Sequence, residues 1–128
     1  EVKIGLLPAT ISPYVINAIG QRAARRYFTT AELFNAQRAQ EIGLVSEVVD
    51  AEHLDEKIEE VIARLLGNSP AAIKAAKQLI FDVAGKAIDE QLIEQTCATI
   101  AAIRVSPEGQ EGLQAFLAKR KPNWLLKD

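Results

Sequence analysis

Glu1-Val-Lys-Ile-Gly-Leu-Leu-Pro8, followed closely by Ser12-Pro13-Tyr14-Val15, and then Ala36-Gln-Arg-Ala-Gln-Glu-Ile-Gly-Leu-Val-Ser-Glu-Val-Val49, are the stretches on which the reading of this chain turns. In the first, a carboxylate, a short and mostly apolar run, a glycine and a proline lead to a helix start. That is a compact way to hold one acid in a fixed place. Val2, Ile4 and Leu6 alternate with Lys3, Gly5 and Leu7, a period-two pattern over too few residues to separate a strand from extended coil. Ser12 before Pro13 predicts a capped helix, since the hydroxyl accepts from a free backbone N–H and proline fits the first helical position. Val15, Ile16, Ala18 and Ile19 carry that helix to Gly20, where a break or restart is expected, and a second segment runs from Gln21 to about Phe28.

In the second stretch Asn35 reads as an N-cap and Gly43 as the matching stop, with Ala36, Ala39 and Ile42 facing inward. Leu44 to Val49 is a β-rich run that needs a partner strand the chain hardly offers. Beyond it the periodicity is helical: Leu54, Ile58, Val61, Ile62 and Leu65 form one face over 51–66, opposite Glu52, Asp55, Glu56, Glu59 and Glu60. Ser69-Pro70 opens a helix running to about Gly85, and Ser106-Pro107 opens the last one, with Leu113, Phe116 and Leu117. Between them, 88–104 carries apolar residues on two adjacent faces, a width that needs cover from more than one side.

Composition narrows the function. Of 128 residues, 48% are hydrophobic and 25% charged, the net charge is −2, and no apolar run is long enough to cross a bilayer. No basic stripe with interleaved aromatics argues for nucleic acid, so neither nucleic acid nor a membrane is expected as partner. One Cys97 and one His53 supply neither a disulfide nor a structural zinc site, so no metal is expected. The reading is a cytoplasmic chain. It holds no Met and begins with Glu, which fits a processed chain or a segment of a longer protein, and the segment is the favoured expectation.

Five pieces in register carry a resemblance: Glu1–Pro8, Ala36–Val49, Asn68-Ser-Pro-Ala-Ala-Ile-Lys-Ala-Ala-Lys77, Ser106-Pro-Glu-Gly-Gln-Glu-Gly112 and Ala115-Phe-Leu-Ala-Lys-Arg-Lys-Pro122. Together they resemble the C-terminal half of the crotonase (enoyl-CoA hydratase/isomerase) superfamily. Ala9-Thr-Ile-Ser-Pro-Tyr-Val15 replaces the family's Gly-rich turn and resembles the methylglutaconyl-CoA and carboxygeranoyl-CoA hydratase branch. The resemblance implies a mainly α fold: the helical C-terminal region of a crotonase-type α/β fold, without its N-terminal β-spiral. It covers residues 1–128 as one region, with 1–49 ending the catalytic core and 50–128 serving assembly. It also implies the hydration of an unsaturated acyl-CoA thioester in fatty-acid or branched-chain degradation, no cofactor beyond that substrate, and a homo-oligomer, a trimer or dimer of trimers.

By the same resemblance Glu1 falls on the second of two catalytic glutamates, while the first and two backbone N–H donors belong to the N-terminal half. Hydration needs a base for the water, an acid for the α-carbon and an oxyanion site for the enolate, and one carboxylate does not supply all three. The chain alone is therefore expected to be inactive, with Glu1 exposed or disordered. Lys119 and Phe116 match positions where the last helix approaches CoA, often from a neighbouring subunit. Their alternative is a solvated helix end with one core aromatic. Tyr14 is read as lining the acyl pocket or as packing. Arg22, Arg25 and Arg26 suit a ligand carboxylate or phosphate, or a solvated face pairing with acids such as Glu32. His53 reads as a surface residue and Cys97 as a small core residue. The competing functional reading is a helical oligomerisation module without catalysis; an isomerase, dehalogenase or hydrolase is a third.

Overall fold

The computed structural model describes residues 1–126; Lys127 and Asp128, the end of the expected 1–128 region, lie outside the described residues. Six helices form α1 (Ser12–Thr30), α2 (Ala36–Glu41), α3 (Leu54–Leu66), α4 (Pro70–Val83), α5 (Glu90–Arg104) and α6 (Pro107–Leu117), with 3₁₀ turns at Val2–Ile4, Ala51–His53 and Asn123–Leu125. No strand occurs among the described residues. The chain divides into two units, Glu1–Leu54 and Asp55–Asp128.

In the first unit the opening run is a 3₁₀ turn, not a strand or extended coil. The Glu1 carbonyl accepts from the Ile4 and Leu6 N–H groups at 3.0 and 3.1 Å, which curls the backbone that a neighbouring strand would have kept extended. Ser12 does not cap α1: its hydroxyl donates to the Ala9 carbonyl at 2.9 Å, and Ile11 occupies the cap position. α1 bends at Gly20, whose φ of 72° and ψ of 163° lie in a region essentially reserved for glycine. The break expected there is thus a kink inside one helix. Asn35 caps α2 as read, accepting from the Arg38 N–H at 2.9 Å. The β-rich run 44–49 forms turns and coil, because the Leu44 N–H donates back to Ala39 and no strand stands beside it.

Ala31 ends α1 in the left-handed conformation, φ 51°, with its N–H on the Tyr27 carbonyl. A Cβ makes that conformation costly, so Ala31→Gly is expected to raise stability by about 0.5–1 kcal/mol after the larger chain entropy of glycine is subtracted. A urea midpoint that falls on this substitution would contradict the assignment.

In the second unit α4, α5 and α6 pack pairwise against one another. Ser69 and Ser106 cap α4 and α6, accepting from Ala72 and Gly109. Glu108 reaches from the first turn of α6 to the start of α4, where its carboxylate accepts from the Ser69 hydroxyl at 2.6 Å and the Ala71 N–H at 3.0 Å. One acid therefore sits at the positive ends of two helices. The tail folds back on the unit: Trp124 donates to the Gly67 carbonyl at 3.4 Å, and Glu111 receives Arg120 at 2.6 and 2.8 Å and the Asn123 N–H at 2.9 Å.

The Arg120 hydrogen bonds, helped by the Asn123 N–H, lower the Glu111 pKa from 4.5 to about 2. Because the folded value lies below the unfolded one, this contact contributes fully above pH 4.5 and is lost as the pH falls toward 2. Glu111→Gln is therefore expected to flatten the acid limb of the stability profile between those values, measured by denaturant midpoints. An unchanged limb would show that the strap does not couple to folding.

Full burial is scarce. Ala24, Ala39 and Ala115 are the buried apolar residues, while Leu33, Ile88, Phe116 and Leu117 are more than three-quarters exposed. The chain presents 10640 Å² of surface, against roughly 8,000 Å² expected of two separately folded units of these sizes. The apolar faces that periodicity marks out are formed but left open.

Candidate active site

α1 turns an apolar face toward the opening 3₁₀ turn and the loop after Thr30, and a groove of about 280 Å³ lies there. Val15, Ile19, Phe28 and Phe34 give it an apolar lining, and Tyr27 meets Phe34 with ring centroids 4.7 Å apart. Two carboxylates, Glu1 and Glu32, share that lining.

Their situations differ. Glu32 is bound by the Arg26 guanidinium at 2.9 and 2.7 Å, and this hydrogen bonding holds its carboxyl below the usual range. It is an anion fixed in place by that guanidinium. Glu1 is exposed, and its backbone carbonyl is tied into the turn, while its carboxylate makes no hydrogen bond or ion pair among the described residues. An acid held by its backbone, with its carboxylate unspent beside an apolar groove, is free to exchange a proton with a group placed in that groove. Glu1 is exposed as expected, but anchored rather than disordered.

The other predicted residues fall elsewhere. Tyr14, on the first turn of α1, is 79% exposed and does not line the groove. Phe116 is 81% exposed, so it is no core aromatic. Lys119 sits three residues after it in the left-handed conformation, φ 52°, its N–H on the Phe116 carbonyl at 3.2 Å. That geometry closes α6 in the manner usually given to glycine. Of the three arginines, Arg26 pairs with Glu32 and Arg25 donates to Gln21 at 3.3 Å, which leaves Arg22. His53 is at the surface beside Glu52. Cys97 is exposed on α5, not a core residue, because the apolar face of α5 that it adjoins is itself open.

The pairing of Tyr27 with Arg38 was not legible in the sequence. Arg38 donates its Nε–H to the Tyr27 hydroxyl at 2.9 Å and pairs with Glu41 at 2.7 Å. Eleven residues separate the two partners, and no spacing rule connects them. Among the described residues no group of three His, Cys, Asp or Glu side chains could hold a metal, and no helix is long and apolar enough to cross a membrane.

A sequence profile described as enoyl-CoA hydratase/isomerase matches residues 1–127. The crystal structure of an enoyl-CoA hydratase from Shewanella pealeana superposes with a TM-score of 0.88 at 49% identity, over 97% of this chain and 46% of that one. The 2,3-dehydroadipyl-CoA hydratase of Escherichia coli is 28% identical over 97% of this chain and 49% of its own length. The 1,4-dihydroxy-2-naphthoyl-CoA synthase of Mycolicibacterium smegmatis is 34% identical over 88% of this chain and 36% of its own. The chain thus spans about half the length, or less, of the curated relatives it matches.

Proposed function

Because this chain belongs to the enoyl-CoA hydratase/isomerase family and forms the helical C-terminal region of a crotonase-type fold, we propose that it works as part of an enzyme adding water across an α,β-unsaturated acyl-CoA thioester. The observation that carries this reading is the unspent Glu1 carboxylate beside an apolar groove. Glu1 exchanges a proton with the water or the α-carbon. The remaining requirements, a second glutamate and two N–H donors for the thioester oxyanion, come from the other half of the enzyme. No cofactor takes part, and the enzyme works in the cytoplasm. The segment Ala9–Val15 supports placement beside the methylglutaconyl-CoA and carboxygeranoyl-CoA hydratases. Tyr14 lines the acyl pocket once the other half is in place, and Phe116 and Lys119 meet the CoA from a neighbouring subunit in a trimer or dimer of trimers. The open apolar surface supports such cover.

The test is hydration of crotonyl-CoA and 3-methylglutaconyl-CoA, read as loss of the enoyl-thioester absorbance. The chain joined to a complete family N-terminal half is expected to turn over at least one of them, and this chain alone neither. Turnover by the chain alone would overturn the two-part site, and failure of the joined protein on both would overturn the hydratase reading. The open faces also favour a second reading, a helical assembly module. A monodisperse monomer in sedimentation, with no activity in the joined protein, would remove both.

A further inference from the structure

A second groove, of about 500 Å³, lies in the first unit between the later part of α1 and α2, and it is lined by Arg22, Arg26, Tyr27, Arg38 and Glu41 among others. It shares Tyr27 and Ile19 with the Glu1 groove and has the opposite character: three guanidinium groups against one carboxylate. Two of these cations are held in place. Arg26 is clamped by Glu32 and lies 5.6 Å from the Tyr27 ring centre, and Arg38 is fixed by the Tyr27 hydroxyl and Glu41. Each spends two of its five N–H groups on those partners, so three remain on each. Arg22 makes no hydrogen bond or ion pair among the described residues.

We propose that this groove is a binding site for the carboxylate or phosphate group of a small ligand, with Arg22 and Arg38 as its main donors and Tyr27 as the residue that orients Arg38. The oxyanion accepts the N–H groups left over on the oriented guanidinium and draws in the unpaired one. Charge-assisted bonds of this kind are the stronger class, and a planar fork matches both carboxylate and phosphate.

The test titrates isotope-labelled chain with sodium phosphate and, separately, with glutarate, at ionic strength held constant with sodium chloride, following the arginine Nε–H resonances. Saturable shifts at Arg22 and Arg38 are expected, and the titration that saturates names the oxyanion source. Arg22→Ala is expected to weaken binding about tenfold or more, the loss of one charge-assisted bond. Tyr27→Phe should weaken it with the spectrum otherwise dispersed. Arg25→Ala removes the same charge from a residue lining a different groove and bound to Gln21, and should leave the affinity unchanged. Shifts that never saturate, or an equal loss in Arg25→Ala, would reduce the groove to diffuse positive charge and overturn the proposal.

Discussion

Gly109→Ala is expected to destabilise the second unit by about 1–3 kcal/mol, the range for overpacking a tight contact, and to lower its Tm by roughly 5–20 °C. In an exposed helix the same change would gain up to about 1 kcal/mol, because alanine outranks glycine in helix propensity. The sign reverses here because of where the new methyl lands. An added Cβ would lie 2.1 Å from the Ile103 carbonyl oxygen and 3.1 Å from both the Arg104 carbonyl and the Ser106 hydroxyl oxygen. The nearest of these is backbone and cannot rotate away. Ser106 donates to that Ile103 carbonyl at 2.7 Å while accepting the Gly109 N–H at 3.1 Å, so one hydroxyl closes α5 and opens α6. Moving the carbonyl to admit the methyl would strain or break the Ser106 bond to it. Gly67 is the internal comparison: its Cβ would meet nothing closer than 3.4 Å, an ordinary contact, so Gly67→Ala should leave the midpoint nearly unchanged. Equal stability of the two variants would refute this account of the α5–α6 corner.

That corner shows how far the sequence could be read. Ser69-Pro70 and Ser106-Pro107 were legible as helix starts because capping is local chemistry, set by a hydroxyl and the N–H three residues on. Ser12-Pro13 carries the same signal, but there the helix starts one residue earlier, with Ile11 at the cap position and the Val15 N–H on the Ile11 carbonyl, so Ser12 already lies in the first turn. The close approach at Gly109 and the reach of Glu108 to α4 depend on how two helices meet, and no spacing within one segment encodes that. Both expected extended segments curled or loosened for one reason. A strand is stabilised by its neighbour, and the described residues offer none. The role proposed for Glu1 comes only from its resemblance to a family pattern. That Glu32 would stand in the same groove, bound and spent, required α1 to bend and the loop after Thr30 to fold back.

Glu1→Gln, made in the enzyme joined to its other half, is expected to lower kcat by about 10²- to 10⁴-fold with little change in KM. The glutamine amide keeps the size and hydrogen-bonding reach of the carboxylate, so the groove stays filled, yet it neither takes nor gives a proton. Glu1→Asp keeps the acid and withdraws it by one methylene, so part of the rate should return. Glu32→Gln separates this role from a general effect of charge, since it removes the other carboxylate of the same lining. Glu32 is committed to Arg26 through two hydrogen bonds that hold its carboxyl below the usual carboxylate range, so it is a weaker base than an unpaired carboxylate. Its loss frees Arg26 and lowers stability, but kcat should stay within a few-fold of the parent. If Glu32→Gln matched the loss in Glu1→Gln, the groove would act through its field rather than through one proton-transferring acid. If Glu1→Gln kept full kcat, the acid anchored at the head of this chain would have no part in the chemistry.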